Sequence, residues 1–433
     1  MTTNGQYLPL PEAAGAQPRT LWIESLPLED STVLSHVPIG YQTWGQLNEA
    51  GDNVVVICHA LTGSSDVQAW WPGITGPGLA IDTNRFFVVC ANVLGSPYGS
   101  ASPLTENPDT GRAYGSDFPP VTIRDTVSAH RRLLESLGVR KVIAAIGASM
   151  GGMQALEWAF HPDLVHSVVP VAVGGRHSAW CIAWSEAQRQ AIFADPNWRE
   201  GRYGPESPPA AGLAAARMAA MISYRSHQEF VSRFGREIMP PGNENESAKF
   251  SAESYLLHQG QKLVSRFDAN CYVHLTRQMD SHDVSRGRGE YLDVLRSVRL
   301  PALVIGITSD ILYPLAEQQE LAETMPNATL AVVDSPSGHD SFLIETEKMS
   351  RLVRDWITQQ AGVLRQVGGQ MPADGQASAA GQETPLSDQS SPAGREENAD
   401  GRSEADEVEK GGKNVRSGVR KQRGSARRCS GNA

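Results

Sequence analysis

The hydrophobic positions along this chain form short continuous runs, and stretches with helical spacing separate several of them. Runs of this kind are typical of strands buried on both faces of a sheet. One helical pattern between them, residues 123–137, has Asp125 near its start and Gly138 just past its end. Strands that alternate with helices predict a parallel sheet. The runs are VVVIC (54–58), FFVVC (86–90), VIAAI (142–146), VVPVAV (168–173), ALVIG (302–306) and LAVV (330–333).

Changes in this pattern predict the division of the chain into units. The alternation over residues 21–44 is typical of antiparallel strands that precede the parallel sheet. Between residues 174 and 290 strand-like runs are replaced by helical spacing, which predicts an all-helical insertion, interpreted as a lid. After residue 362 aromatic and β-branched residues become rare, so this part is expected to be disordered. The predicted units are a flexible N-terminal arm (1–18), the first part of an α/β core (19–173), a helical lid (174–290), the second part of the core (291–362) and a disordered tail (363–433).

Composition narrows the class of protein. The 433 residues include 48 acidic and 38 basic side chains, a net charge of −10, which argues against nucleic acid as a partner of the folded part. Five scattered cysteines without a CxxC pair suggest neither redox chemistry nor a zinc site, and favour a cytoplasmic protein. We expect neither a secretion signal nor a membrane span. The final charges of the tail are all basic, and a solvated charged extension is favoured over an RNA-binding or localisation segment.

The segment GASMG (147–151) carries the clearest chemical signal. It lies directly after the VIAAI run and opens a helical pattern, which is the strand, sharp turn and helix of a G-x-S-x-G nucleophile elbow. The small residues around Ser149 avoid clashes that bulk would create on a strained turn. Ser149 is therefore predicted to be a nucleophile, in preference to part of a plain glycine-rich turn.

A serine nucleophile needs a base and a carboxylate that orients the base. In elbow enzymes the chain order is serine, acid, histidine, each on a loop after a strand. Asp310 follows the ALVIG run, and His339 follows the last run, so these two are the predicted acid and base. Asp334 also ends a strand, but it lies only five residues before His339 and is the less favoured acid. Most other histidines, such as His227, His258, His274 and His282, fall in the lid or on the surface.

Two backbone N–H groups are needed to stabilise the oxyanion of an acyl transfer. One is expected from Met150, directly after the nucleophile. The other is expected from the loop after VVVIC, where Leu61 is the favoured donor, although other N–H groups of residues 59–63 stay open. His59, in the same loop, is interpreted as a loop-shaping residue rather than a catalytic one.

Several longer segments, in order along the chain, resemble the homoserine O-acetyltransferase family, α/β-hydrolase-fold enzymes of methionine biosynthesis. The resemblance runs from about residue 21 to residue 356 and leaves the two terminal segments unexplained. The segments are GYQTWGQLNEAGDNVVVICHALTGSSDV, GASMGGMQALEWA, RHSAWCIAWSEAQRQAI, GLAAARMAAMISYRS, RFDANCYVHLTRQMDSHD and SPSGHDSFL.

This resemblance implies an α/β-hydrolase fold and a ping-pong reaction, in which an acetyl group passes from acetyl-CoA through Ser149 to the hydroxyl of L-homoserine. It implies acetyl-CoA as co-substrate, no resident cofactor, no metal, and a homodimer formed through lid helices. By the family's pattern Arg217 and Tyr224 hold the carboxylate of homoserine, and Asp340 binds its ammonium. The small and apolar neighbours of Arg217 also favour a buried anion over a surface ion pair.

Four alternatives stay open at this stage. A succinyl donor would require an additional cation, which the elbow and the loops at 60–67 and 94–104 do not offer. Serine as acceptor is one methylene shorter, a difference worth only about 1–3 kcal/mol in a pocket. A plain serine hydrolase would use the same triad. An inactive binding module is disfavoured because serine, aspartate and histidine are all present.

Overall fold

The computed structural model describes residues 17–241 and 247–368. Its strands, in chain order, are β1 (Arg19–Pro27), β2 (Val33–Trp44), β3 (Val54–Cys58), β4 (Thr75–Gly76), β5 (Ile81–Asp82), β6 (Phe87–Ala91), β7 (Glu106–Asn107), β8 (Arg112–Ala113), β9 (Val142–Ala148), β10 (Val168–Val171), β11 (Ile238–Met239), β12 (Lys249–Phe250), β13 (Ala302–Ile307) and β14 (Ala328–Val333).

The helices, in chain order, are α1 (Val67–Trp70), α2 (Ile123–Ser136), α3 (Met150–Trp158), α4 (Ala179–Phe193), α5 (Ala210–Ser223), α6 (His227–Phe234), α7 (Ser251–Val264), α8 (Ala269–Asp280), α9 (Tyr291–Ser297), α10 (Leu315–Thr324), α11 (Ser341–Ile344) and α12 (Thr346–Gly368). Three short 3-10 helices accompany them, at Gly115–Asp117, Arg199–Gly201 and Gly338–Asp340.

Eight strands form one sheet in the order β1-β2-β6-β3-β9-β10-β13-β14. The pairs from β6 to β14 are all parallel, whereas β1 pairs with β2, and β2 with β6, in antiparallel fashion. The mostly parallel sheet and its antiparallel entry region are therefore those predicted from the spacing of apolar residues. Parallel strands direct their carboxyl ends to one edge of the sheet, where α/β proteins place their binding crevices.

Each central strand contributes side chains to two separate hydrophobic cores, because successive side chains of a strand point to opposite faces of the sheet. In β3, Val54 and Val56 join the core that contains α2 and α3, and Val55 and Ile57 join the core that contains α12. All five residues of this strand are buried. Burial on both faces explains why such strands appear in the sequence as continuous apolar runs rather than as alternating ones.

The helix predicted over residues 123–137 is α2, and its start illustrates how local sequence defines an element. The Thr122 side chain accepts the Asp125 N–H at 3.1 Å, and the Asp125 carboxylate accepts the Thr122 N–H at 2.9 Å. This capping box satisfies two backbone donors that the first helical turn leaves unpaired. Gly138, at a φ of +82°, then lets the chain leave the helix.

The segment between β10 and β13, called the insertion below (residues 174–290), contains helices α4–α8. It also contains a two-stranded antiparallel sheet, in which Ile238 pairs with Phe250 and Met239 with Lys249. The prediction of an all-helical insertion was therefore wrong on this point. Two-residue strands are too short to show a period-2 pattern in the sequence, and these are largely exposed, so no apolar run marks them.

The predicted tail boundary at residue 362 was also wrong, since α12 continues to Gly368. Ile357, Ala361 and Leu364 continue one apolar stripe, and all three pack against the core on that face of the sheet. Gly362 is an interior helical residue rather than a helix end. The predicted flexible arm and disordered tail otherwise fall on residues 1–16 and 369–433, outside the described residues.

Within residues 17–241 and 247–368, no helix combines the length and the apolar character that crossing a bilayer requires.

Candidate active site

Ser149 lies between β9 and α3, where the strand turns directly into the helix. Its φ of 57° and ψ of −124° are a strained combination for a residue with a Cβ. The Ser149 N–H donates to the Val171 carbonyl at 3.0 Å, and the Ser149 carbonyl accepts the Met153 N–H at 3.1 Å. Neighbouring backbone therefore holds the turn from both sides, and Ser149 is only 6% exposed.

Two glycines beside Ser149 make this turn sterically possible. A Cβ on Gly147 would collide with the backbone of Gly151, and a Cβ on Gly151 would collide with the carbonyl oxygen of Cys58. Collisions with backbone atoms cannot be relieved by rotating a side chain, so a larger residue would displace the turn. The same close packing brings the start of α3 against the end of β3.

Asp310 and His339, which follow β13 and β14, are brought together as the sequence predicted. Asp310 Oδ2 lies 2.7 Å from His339 Nδ1, and Asp310 Oδ1 accepts the N–H groups of Leu312 and Tyr313, each at 2.9 Å. Because an ionised carboxylate only accepts hydrogen bonds, the proton of the neutral imidazole is on Nδ1. His339 Nε2 is buried without a hydrogen-bond partner among the described residues, so it is not bonded to the Ser149 hydroxyl here.

The charges around His339 favour its protonated form. Burial by itself lowers the pKa of the imidazole, but the charge and hydrogen bond of Asp310, with a further contribution from Asp340, raise it above the ordinary value of 6.5. A base with this environment accepts a proton more readily than a free histidine does. It also becomes protonated, and so unable to act as a base, at a higher pH.

Asp334, the less favoured acid, does not contact the histidine ring. It is exposed, and its carboxylate accepts the Thr308 hydroxyl at 3.0 Å. Its backbone carbonyl accepts the Lys348 ammonium at 2.7 Å. These contacts join β14 to its neighbours and leave Asp310 as the carboxylate at His339.

The two predicted oxyanion donors lie on segments that pack against each other. Met150 is the first residue of α3, whose leading N–H groups have no intrahelical acceptor and carry partial positive charge. Leu61 follows β3 and is buried. The Gln154 side chain donates to the His59 carbonyl at 3.2 Å, which ties α3 to the loop that contains Leu61.

His59 makes the contacts of a loop-shaping residue. Its Nε2 accepts the Val93 N–H at 3.1 Å, and its Nδ1 lies 2.9 Å from the Ala60 carbonyl oxygen, so the ring bridges two loops. Burial lowers its pKa to about 4, which keeps the ring neutral. Both ring nitrogens are occupied by backbone groups.

Arg217, in the middle of α5, and Tyr224, directly after its last residue, connect the insertion to the histidine. The Tyr224 ring centroid lies 5.7 Å from that of His339, and the Arg217 Cζ lies 5.4 Å from the Tyr224 ring centroid. Tyr224 thus connects a guanidinium to the base. Burial raises the pKa of Tyr224, so its hydroxyl stays a hydrogen-bond donor at neutral pH.

Asp340 has a partner that the sequence did not suggest. Arg225 Nε lies 3.2 Å from Asp340 Oδ2, and the same guanidinium forms a salt bridge with Glu229. The three side chains are each only 15% exposed. Asp340 is therefore not a free carboxylate but one member of a group of three charges.

A cleft beside His339 is lined by both the core loops and the insertion. His177 and Tyr313 are lining residues that sequence reasoning missed: the Tyr313 ring centroid lies 5.3 Å from His339 and 5.9 Å from His177. Tyr313 had a weak signal, since it lies three residues after Asp310, and His177 lies in the quoted segment RHSAWCIAWSEAQRQAI without having been singled out. The lining residues are Leu61, His177, Cys181, Trp184, Ser185, Gln188, Tyr224, Thr276, Met279, Leu312 and Tyr313.

A separate cavity of about 350 Å³ contains none of the predicted site residues. It lies against the opposite side of α8, which contributes Val273 and Gln278 to this cavity and Thr276 and Met279 to the cleft. Of the predicted site residues, Leu61 and Tyr224 line the smaller cleft.

The architecture and the elbow together define a class of protein, and comparison with known sequences agrees. A profile of the α/β hydrolase fold matches residues 53–346, more than half of the chain. The protein is thus an α/β hydrolase by fold, with a serine elbow and a buried aspartate–histidine pair at the carboxyl edge of its sheet.

Comparison with individual relatives gives a more specific result than the fold profile. The chain is 58% identical over 343 residues to the homoserine O-acetyltransferase of Salinibacter ruber, a match that covers 78% of this chain and 97% of that protein. The chain belongs to the homoserine O-acetyltransferase family, which confirms the resemblance found in the sequence.

Solved structures of proteins with different named activities share this fold. The homoserine O-acetyltransferase of Bacillus anthracis is 25% identical, with a TM-score of 0.74, and the match covers 79% of this chain and 97% of that one. Esterase E22 is 30% identical, with a TM-score of 0.72, and the match covers 79% of this chain and all of that one. Backbone similarity alone therefore does not separate acyl transfer from ester hydrolysis.

Proposed function

We propose that this protein is a homoserine O-acetyltransferase, which transfers an acetyl group from acetyl-CoA to the hydroxyl of L-homoserine. The observation that carries the proposal is the buried Asp310–His339 pair with a free Nε2, in a chain 58% identical to a named homoserine O-acetyltransferase. Acetyl-CoA is a co-substrate, and no resident cofactor takes part. The products are O-acetyl-L-homoserine and CoA.

In the first half-reaction His339 Nε2 takes the proton of the Ser149 hydroxyl as Oγ attacks the thioester carbonyl. The negative oxygen of the tetrahedral intermediate is stabilised by the N–H groups of Met150 and Leu61. The carbon–sulfur bond then breaks, and the departing thiolate of CoA receives the proton from Nε2. An acetyl ester of Ser149 remains.

In the second half-reaction the same groups work on homoserine. His339 Nε2 takes the proton of the homoserine hydroxyl, whose oxygen attacks the acetyl carbonyl carbon. The intermediate collapses with cleavage of its bond to Ser149 Oγ, which regains the proton from Nε2. Asp310 stabilises the imidazolium in both halves, and the enzyme returns to its starting state.

Recognition of a zwitterion accounts for the charged residues around the cleft. Arg217, with the Tyr224 hydroxyl, is assigned to the carboxylate of homoserine, and the carboxylate of Asp340 to its ammonium. Support comes from the position of Tyr224 between the Arg217 guanidinium and His339. Two opposite charges near the base orient the acceptor and distinguish it from water.

The donor is proposed to be acetyl rather than succinyl. A second carboxylate on the acyl group would require a cation in the acyl pocket. The elbow and the loops at 60–67 and 94–104 contain neither lysine nor arginine. Hydrolysis is the second candidate function, favoured by the similarity to esterase E22.

Three further properties belong to the same proposal. The insertion acts as a lid that limits the access of water to the acyl-enzyme. Two protomers associate through lid helices, a role supported by the exposed apolar side chains of Ile222 on α5 and Leu257 on α7, each 44% exposed. The protein works in the cytoplasm, as a biosynthetic enzyme acting on small soluble substrates.

A matrix of two donors and two acceptors tests the proposal. Purified protein is assayed with acetyl-CoA or succinyl-CoA, each combined with L-homoserine, L-serine or no acceptor, and release of CoA and of the ester is followed. Acetyl-CoA with homoserine is expected to give the highest kcat/KM by at least tenfold. Equal CoA release with and without acceptor, and no ester product, would identify a hydrolase instead.

A further inference from the structure

The turn that follows α5 makes an unusually dense set of contacts with the loop that carries His339. The Asp340 N–H donates to the Tyr224 carbonyl at 3.1 Å, and the Ser226 hydroxyl donates to the Pro336 carbonyl. Gly338 lies so close that a Cβ on it would approach the backbone of Arg225 within 2.9 Å. The insertion is thus fastened to residues 336–340 by backbone and side-chain contacts together.

Arg225 is the charged member of this turn. Its guanidinium is shared between Asp340 Oδ2, at 3.2 Å, and the carboxylate of Glu229. A second oxygen of Glu229 is buried without a hydrogen-bond partner among the described residues. One guanidinium thus faces two carboxylates, and the formal charges of these three side chains sum to −1.

The geometry leaves the two oxygens of Asp340 with different surroundings. Oδ2 faces Arg225, and the backbone N–H of the same residue is anchored to Tyr224. The contact at Oδ2 is an ion pair, since Arg225 Nε forms no hydrogen bond among the described residues. Together with the backbone anchor it favours one orientation of the carboxylate, in which the other oxygen faces away from Arg225. Without Arg225, the carboxylates of Asp340 and Glu229 would repel each other in a poorly hydrated site.

We propose that Arg225 is a positioning residue that determines acceptor specificity. By holding Asp340 Oδ2 it orients the remaining oxygen toward the ammonium of the acceptor amino acid, and it does so without touching the reacting atoms. This inference rests on the proposed function, since it concerns the acceptor of that reaction. It predicts that Arg225 acts on the second half-reaction through Asp340, and not on acylation.

Selectivity between two acceptors gives a readout that simple destabilisation would not change. L-Homoserine and 4-hydroxybutyrate share a hydroxyl and a carboxylate, but only homoserine carries an ammonium. In Arg225→Met the kcat/KM for homoserine is expected to fall about 10- to 100-fold. The value for 4-hydroxybutyrate and the rate of acylation by acetyl-CoA should each stay within about threefold.

A double-mutant cycle tests whether the effect passes through Asp340. Arg225→Met should change homoserine selectivity strongly in the wild-type background and less than about threefold in the Asp340→Asn background. Arg225→Lys, which keeps the charge, should give an intermediate selectivity. Arg236→Met, on an exposed arginine of the same insertion, is the matched control and should leave selectivity unchanged.

Several outcomes would overturn the inference. Equal losses with both acceptors in Arg225→Met and Arg225→Lys would indicate a structural role only. Multiplicative effects of Arg225→Met and Asp340→Asn would show that the two residues act independently. If the wild type itself transfers no acetyl group to homoserine, the proposed function fails. If the wild type is active and Arg225→Met has the same selectivity between the two acceptors, only the inference about Arg225 fails.

Discussion

Ser149 and His339, the serine side and the histidine side of this site, are held in place by different kinds of interaction. Ser149 lies on a turn shaped by steric exclusion, with Gly147 and Gly151 packed against backbone atoms. His339 lies on a loop fastened by hydrogen bonds and ion pairs, to Asp310 on one side and to the turn after α5 on the other. The first region is held by close packing of backbone atoms, and the second by polar and charged contacts.

This difference has a functional meaning in the proposed reaction. The nucleophile needs one fixed position for both half-reactions, which a strained turn between a strand and a helix provides. The base must serve two different hydroxyl groups, and its loop is joined to the insertion that surrounds the acceptor. Substitutions near Ser149 and substitutions near His339 should therefore affect the protein in different ways.

The largest effect is expected at the carboxylate behind His339. Asp310→Asn keeps the size of the side chain but removes the charge that orients and stabilises the imidazole, and kcat should fall by about 10⁴-fold. The pH profile should also shift. The wild-type kcat/KM should fall as pH drops through a His339 pKa above 6.5, because the protonated ring cannot accept a proton.

In Asp310→Asn the main contribution that raises this pKa is gone, while burial, which lowers it, remains. The acid limb of the residual activity should therefore move to lower pH. A pH–rate profile of both proteins measures the shift. An unchanged or higher inflection in the variant would mean that another group titrates.

The serine side is tested by a pair of glycine substitutions. Gly151→Ala should lower the free energy of unfolding by about 1–3 kcal/mol and distort the elbow, since its Cβ would strike a backbone carbonyl. Gly362→Ala is the matched control, because apart from its chain neighbours and the backbone of its own helix no atom of the described residues lies within 4 Å of its Cβ position in α12. There alanine should stabilise by about 0.5–1 kcal/mol.

Denaturant unfolding and acylation rates measured on both variants separate steric from general effects. Equal stability changes of the same sign in Gly151→Ala and Gly362→Ala would contradict the steric account of the elbow.

Arg217→Ala tests the acceptor side with a smaller expected effect. Loss of a charged hydrogen-bond partner should raise the homoserine KM about 10- to 100-fold. Acylation of Ser149 by acetyl-CoA should persist, because Arg217 is assigned to the second substrate only. Rapid-quench mass spectrometry with steady-state kinetics distinguishes the steps, and a loss of acylation would show that the assignment is wrong.

The smallest effect concerns the end of α12. Truncation after residue 368 should leave activity and stability unchanged, because every assigned residue lies between 61 and 340. Truncation after residue 362 removes the packed side chain of Leu364 and should lower the free energy of unfolding by about 1 kcal/mol. Thermal unfolding of the two truncated proteins provides the comparison, and equal stabilities would contradict a packed role for Leu364.

The comparison also explains what could be predicted from the sequence. The elbow, the parallel strands and the Asp310–His339 pair follow from local patterns and from their order in the chain, so short-range signals were sufficient. The Arg225–Asp340 ion pair joins two elements that are remote in sequence. Asp340 and Tyr224, the neighbour of Arg225, were expected at the site, but no local pattern indicated that Arg225 pairs with Asp340. The pairing of β11 with β12 was likewise not predicted, because each strand has only two residues, which are too few to show a periodic pattern in the sequence.

The central claim is that Ser149 carries the acetyl group between two substrates, and a chase experiment tests it directly. The protein is mixed with acetyl-CoA, and then L-homoserine or buffer is added while intact mass and the Ser149 peptide are followed by mass spectrometry. A gain of one acetyl group on Ser149, absent in Ser149→Ala and discharged to O-acetylhomoserine much faster than to water, is the predicted result. Full transfer activity in Ser149→Ala, or an acetyl ester discharged equally fast with and without homoserine, would contradict the account.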